Sequence, residues 1–444
     1  MTSTRQLDRV SPAEVHERLA RHILADGLPM VLDVEKSHGS VLVDARDGNE
    51  IIDMFTCFST CPLGYNHPGL QQPEFRDEIL PTALNKPSNS DLYTTQMADF
   101  VEALARTVPE PLNRHMFFIE GGALAVENTL KTAFDWKVRK NLAAGKPEKG
   151  SQAMHFRHAF HGRSGYTLSL TNTDPTKTEY FPKFDWPRIH NPALSFPVTE
   201  QVLERVEAEE ARAVAQIKQA LVDNPDDIAC LILEPIQGEG GDNHFRREFL
   251  QQLRDLADEA EFLLIFDEVQ TGFGATGRWW CFEHFDVLPD AFAFGKKTQV
   301  CGICAGDRID EVDSVFEVSS RINSTWGGNL VDMVRCRRFV EIIEEENLLD
   351  NATTVGAHLL DKLQQLVGAF PEEVSNPRGR GMFAAFDLRN HSRQQRAIQA
   401  IGDHGVLALT SGERSIRFRP ALTLSTEVVD EAIRRIHQAL TKVL

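Results

Sequence analysis

The chain has 444 residues, 42% of them hydrophobic and 25% charged, with a formal net charge of −18 at pH 7. That length exceeds what one simple core organises and implies two or more domains. The acid excess argues against nucleic acid and anionic membrane as partners, while leaving room for a local cationic pocket. The first twenty residues are charged and lack an apolar core, so no secretory signal is expected, and no apolar run is long enough to span a bilayer. The seven cysteines are scattered, apart from Cys57 with Cys61 and the Cys301–Cys304 pair, which has no second pair to complete a zinc site. No metal centre is expected, and all seven read as reduced thiols in a cytoplasmic protein.

Residues 12–25 carry a helical pattern that starts after Ser11. Short apolar pieces at 31–33, 41–43 and 51–52, separated by Gly and Asp, predict a small antiparallel meander. The segment 55–60 contains Phe58. Residues 85–95 are polar and turn-rich, with Ser90 placed to cap a helix that aligns Met97, Phe100, Val101 and Leu104. A buried strand at 116–119 runs into Glu120-Gly121-Gly122-Ala123 and a helix from about 124 to 140. Two glycines between strand and helix let backbone N–H groups face an anion, and with no Gly-Lys-Ser/Thr following, this is not a nucleotide P-loop. A strand at 153–156 precedes Phe160-His161-Gly162-Arg163. Phe160 offers a flat apolar face, and Arg163 a rigid fork suited to a carboxylate. Residues 171–198 read as a long ordered loop, 199–222 as a charged helix, and 228–233 as a buried strand ending at Glu234, with Glu239-Gly240-Gly241 just beyond.

A helix at 246–260 leads to two apolar runs, 262–266 and 291–294. The first stops at Asp267-Glu268 and the second at Gly295-Lys296-Lys297. Short apolar runs that end in charges read as buried parallel strands with chemistry at their carboxyl ends. They bring a carboxylate and an ammonium to one sheet edge. On residue type alone a structural ion pair explains both groups, and two adjacent lysines leave the reactive amine open. From about 331 the pattern becomes that of an α+β unit. It has helices at 334–345, 352–368 and 392–404, strands at 381–386, 406–409 and 416–418, and a last helix from 427. Its Arg417-Phe-Arg419-Pro segment offers two guanidinium groups.

Asp267-Glu-Val-Gln-Thr-Gly272, followed by Gly295-Lys296, resembles the signature of class III (omega-type) aminotransferases of the fold type I that binds pyridoxal 5′-phosphate (PLP). The resemblance covers nearly the whole chain. It implies an α/β fold with a large PLP-binding domain, residues 61–330, holding a mostly parallel sheet between helices. Residues 331–444 would form a smaller α+β domain, against which an N-terminal segment, 1–60, packs. It implies Lys296, directly after the glycine, as the amine that bonds the PLP aldehyde, and Asp267 as the group that keeps the pyridine nitrogen protonated. Gly122 and Ala123 match the phosphate-binding turn, Phe160 the aromatic stacked on the ring, Val269 the opposite ring face and Gln270 the partner of the ring hydroxyl. Thr325, in Asn323-Ser-Thr-Trp-Gly-Gly-Asn329, matches a residue that binds the phosphate of a neighbouring subunit, which implies a homodimer with shared active sites.

Arg163, Asn323, Glu239 and Arg417 match substrate-facing positions, with Arg419 a rival to Arg417. Phe58 stands where some relatives carry a Tyr that touches a substrate carboxylate. Glu239 and Arg417 resemble a gate, neutral when paired and open to an acceptor carboxylate when parted. The segments at 85–91, 120–128, 160–173, 181–189, 234–242, 294–302 and 321–329 further resemble the branch that moves the epsilon-amine of L-lysine to 2-oxoglutarate, giving 2-aminoadipate 6-semialdehyde and L-glutamate. Ornithine or 4-aminobutyrate as donor, and a PLP-binding role without turnover, are the alternatives.

Overall fold

A computed structural model describes residues 9–444, so the first eight residues of the N-terminal segment lie outside the described residues. Seven strands form the central sheet, in the order His115–Ile119, Cys301–Ala305, Ala291–Phe294, Leu263–Asp267, Ile228–Leu233, Gln152–Phe156, Arg188–Ile189. Only Cys301–Ala305 runs against its neighbours. The inner strands are buried on both faces, which is why they read as continuous apolar runs without alternation. Alternate residues nevertheless serve opposite layers. Ile265, Ala291 and Ala293 pack with Ala125, Val126, Leu130 and Trp136 of the helix Gly122–Ala143. Leu264, Phe266, Phe292 and Phe294 join Phe249 and Leu253 of the helix Arg247–Glu259.

The register sets the chemistry. Leu263–Asp267 and Ala291–Phe294 are parallel neighbours with Ala293 opposite Asp267. The chain then needs only Phe294 and Gly295 to reach Lys296, so the acid and the amine leave the sheet at the same edge.

A four-stranded antiparallel sheet contains Val374–Arg380, Phe383–Leu388, Ser415–Phe418 and Leu409–Ser411. A third sheet joins the two ends of the chain, because Glu50–Asp53 pairs antiparallel with Val41–Val43 and parallel with Val406–Leu407. Nearby, the Thr56 hydroxyl donates to the Arg419 carbonyl at 2.6 Å, across 363 positions of sequence.

Several local expectations change. Of the three-stranded meander, 31–33 contributes only an isolated bridge between Leu32 and Asp44, and the third strand comes from Val406–Leu407. The apolar run 406–409 is divided between two sheets, a switch that a periodicity of two cannot reveal. The helix Thr95–Thr107 is capped by Thr94, whose Oγ1 accepts the Met97 N–H at 3.1 Å, while Ser90 Oγ donates to the Ser324 carbonyl instead. The Cys301–Cys304 spacing belongs to a buried strand. Val374–Arg380 is an unexpected strand, its pattern masked by Asn, Pro and Gly.

Candidate active site

Asp267 ends its strand almost fully buried, and two donors fix its carboxylate. Oδ1 accepts the Val269 N–H at 3.0 Å, and Oδ2 lies 2.8 Å from Nδ1 of His161. An ionised acid there requires the proton on Nδ1. The His161 ring is fully enclosed, and its Nε2 has no partner among the described residues.

The two adjacent lysines differ sharply. Lys297 is buried, its Nζ donates to the Gln270 carbonyl at 2.6 Å, and burial pushes it well below the usual lysine range. Lys296 is half-buried and has no hydrogen-bond acceptor for its amine among the described residues. Burial lowers its pKa and Arg417 adds to this, while Asp267, Glu234 and Glu239 oppose it. Its backbone sits in the left-handed region at φ 54°, an uncommon state for a residue with a Cβ. Lys296 is therefore the amine available for chemistry.

Beside these groups, Gly121 turns the chain at φ 105° and the helix Gly122–Ala143 begins with no side-chain cap. Its first N–H groups and the positive end of its dipole form an anion cradle. A Cβ on Gly122 would come within 3.0 Å of Val269 Cγ1, and one on Gly295 within 3.5 Å of the same atom. Val269 is thus wedged between the cradle and the lysine-bearing loop. Phe160 is positioned through its N–H, which donates to Glu234 Oε1 at 3.0 Å, while Gly238 N donates to Oε2 at 3.0 Å. Burial pushes the Glu234 carboxyl up to about 7. Arg163 is exposed, its guanidinium 5.9 Å from the Phe160 ring, and it pairs with no carboxylate among the described residues.

On the other side stands Arg417. Its Nη2 is 2.6 Å from Glu239 Oε2, its Nη1 is 3.5 Å from Gln270 Oε1, and its guanidinium is 5.8 Å from the Phe58 ring. Glu239 also meets Lys177, with Nζ at 2.5 Å from Oε1. Burial raises the Glu239 pKa, but Arg417 and Lys177 outweigh it and hold the acid below the usual carboxylate range. Arg419 reaches the same Gln270 oxygen, its Nε donating to Oε1 at 3.2 Å, but its other partners lie away from Glu239. It is 2.5 Å from Asp242, lies over the Phe383 ring and donates to the Phe418 carbonyl. Of the two arginines, Arg417 is the one whose carboxylate partner borders the site.

Residues 23–440 match the family described as Aminotransferase class-III. The chain belongs to this family. It is 53% identical to an L-lysine-epsilon aminotransferase of Mycobacterium tuberculosis over 97% of this chain and 96% of that protein. An L-lysine-epsilon aminotransferase of Amycolatopsis lactamdurans is 48% identical over 96% and 95%. A solved lysine aminotransferase from M. tuberculosis superimposes with a TM-score of 0.96 at 52% identity, covering 98% of this chain and 100% of that one. The fold is the type I fold of PLP-dependent transferases, α/β with a mostly parallel sheet.

In this class III aminotransferase, Asn323 and Thr325 are not tied to the other candidate site residues by hydrogen bonds. Both are exposed, and neither hydrogen-bonds to Asp267, Lys296 or Glu239. Their loop is fastened to 88–90. Ser88 Oγ donates to the Thr325 carbonyl at 2.5 Å and Asn89 N to that of Trp326 at 3.0 Å. Three contributors had no assigned role from sequence. His161 and Glu234 stood inside motifs already singled out, whereas Lys177 lay in a loop with no pattern to mark it.

Proposed function

We propose that this aminotransferase moves the epsilon-amino group of L-lysine to 2-oxoglutarate with PLP as cofactor, releasing 2-aminoadipate 6-semialdehyde and L-glutamate. The observation that carries the chemistry is the convergence of Asp267 and Lys296 at neighbouring strand ends beside an uncapped helix N-terminus. The donor rests on the 53% identity with a protein named for lysine-epsilon transfer.

The residues fit PLP. The N–H groups of Gly122 and Ala123 suit its phosphate, Asp267 its pyridine nitrogen, Lys296 its aldehyde, Gln270 its hydroxyl, and Phe160 and Val269 its two ring faces. When bound, PLP supplies an electron sink that makes a hydrogen on the amine-bearing carbon acidic. Lys296 removes that proton from the lysine epsilon carbon, a task that its lowered pKa favours. His161 and the Val269 N–H keep the Asp267 carboxylate oriented. Arg163 holds the distant alpha-carboxylate of lysine and so presents the epsilon end to Lys296. While lysine is bound, Glu239 neutralises Arg417. When 2-oxoglutarate arrives, Glu239 turns aside and Arg417 takes the acceptor's carboxylate, with Phe58 bordering the pocket.

Thr325 serves the phosphate of a second copy, so the working form is a homodimer with shared sites. Residues 61–330 make the PLP-binding domain, and 331–444 with the N-terminal segment 1–60 the smaller one. We place the enzyme in the cytoplasm, where its seven thiols stay reduced. Among the described residues no helix is long and apolar enough to cross a membrane.

The test is to mix the holoenzyme with L-lysine and 2-oxoglutarate and measure glutamate and the cyclised semialdehyde. A higher kcat/KM with ornithine or 4-aminobutyrate would overturn the donor, and no glutamate from any donor would mean a binding protein.

A further inference from the structure

We infer that Lys177 is a positioning residue for acceptor binding, holding the Glu239 carboxylate once Arg417 has released it. The inference rests on the gate reading above. Glu239 is shared by two cations, one on each oxygen, with Lys177 Nζ 2.5 Å from Oε1 and Arg417 Nη2 2.6 Å from Oε2. The Arg417 side chain is only 2% exposed and belongs to a strand, whereas Glu239 is 25% exposed in a loop. Glu239 is therefore the partner that moves.

Lys177 is well placed to receive it. It ends the short turn Pro175–Lys177, which Asp174 caps by accepting the Thr176 N–H at 3.0 Å. Its ammonium is 3.4 Å from Thr173 Oγ1 and 5.7 Å from the Phe160 ring centroid. Glu239 can pivot on Oε1 and free Oε2 from Arg417 without becoming an unpaired, half-buried charge, which is the costly outcome for a broken ion pair.

Charge counting points the same way. Arg417, Lys177 and Glu239 sum to one positive charge, and an incoming carboxylate brings the group to neutrality. Without Lys177 the same carboxylate would leave a net negative charge in a poorly solvated pocket. The lysine donor, with its carboxylate at Arg163, gains nothing from this device. Lys177 therefore acts on one half of the reaction only.

The test uses Lys177→Met and Lys177→Arg holoenzymes. The probe is glutarate, a dicarboxylate that cannot accept an amine, with its Kd measured by titration calorimetry. Lys177→Met raises the glutarate Kd and the KM for 2-oxoglutarate about tenfold, the size expected for losing one hydrogen bond to a charge. Single turnover with L-lysine, without acceptor, stays unchanged, and Lys177→Arg restores acceptor binding. In a Glu239→Gln background, Lys177→Met has almost no further effect. If Glu239→Gln shifts acceptor binding but Lys177→Met does not, the gate stands and the role of Lys177 is refuted. If Glu239→Gln itself leaves acceptor binding untouched, the gate reading fails and this inference with it. Equal losses in both half-reactions with a lower Tm would make Lys177 merely structural and also overturn the proposal.

Discussion

Replacing Lys296 and Lys297 in turn separates reactivity from stability, because the two neighbours are held so differently. Lys297 is 2% exposed and satisfies the Gln270 carbonyl at 2.6 Å. Lys297→Met keeps most of the apolar stem but leaves that carbonyl without its donor, a loss of about 1–3 kcal/mol. Lys296 has no such bond and occupies the left-handed region at φ 54°, which costs a residue with a Cβ about 1–2 kcal/mol. Lys296→Gly recovers that strain against roughly 0.5–1 kcal/mol of extra backbone entropy in the unfolded chain, for a net gain of up to about 1.5 kcal/mol. Lys296→Ala keeps the strain and changes stability little. The assay is urea unfolding of each apoenzyme, alongside the yellow absorbance and turnover with added PLP. Both Lys296 variants lose colour and activity yet unfold at the wild-type urea concentration or above. Lys297→Met keeps its colour and unfolds earlier. A yellow Lys296→Ala protein, or a Lys296→Gly protein less stable than Lys297→Met, refutes the reasoning.

His161→Phe removes a hydrogen bond of 2.8 Å to the Asp267 carboxylate, a contact worth about 1.5–3 kcal/mol. We expect kcat to fall roughly 10- to 100-fold with the KM for 2-oxoglutarate little changed, and an unaltered kcat would contradict this role for His161. Burial pushes Glu268 from 4.5 up to about 7. Between those values the folded state keeps a proton that the unfolded chain has lost, so stability falls as pH rises through this window and levels off above it. The full interval is worth at most about 3 kcal/mol. Glu268→Gln should flatten this part of the Tm-against-pH curve, and a retained slope would assign it to other groups, Glu234 first. If Thr325 serves the opposite subunit, a mixed dimer of Thr325→Ala and Lys296→Ala chains has one undamaged site and one doubly damaged site. Activity should then exceed that of either parent, and its failure to do so would mean self-contained sites.

What was legible in the sequence was local. Asp267 and Lys296 could be found because each ends an uninterrupted apolar run, and buried parallel strands leave that trace. The glycine turn before Gly122 was visible for the same reason, as a strand running into a helix with nothing to cap it. What depended on distant partners was not legible. Nothing near Lys297 reveals that it reaches the Gln270 carbonyl, and nothing near Arg419 reveals that Asp242 claims it. Ser90 was the expected cap, but its hydroxyl is taken by the Ser324 carbonyl of a distant loop and Thr94 caps the helix instead. The run at 406–409 looked like one strand because the residues alternate correctly, while the two sheets that divide it lie outside any local window.

The joining of the two chain ends also bears on how the protein is made. Glu50–Asp53 leaves the ribosome early, but its partner Val406–Leu407, and the Arg419 carbonyl that receives the Thr56 hydroxyl, are translated near the end. Phe58 and Arg417 lie on opposite sides of that late seam. A nascent chain can complete the central sheet and the Asp267–Lys296 edge well before release, yet it exposes an unpaired strand until synthesis is nearly finished. On the proposed roles of Phe58 and Arg417, substrate discrimination is the last property that the newborn enzyme acquires, and a stalled C-terminus forfeits it first.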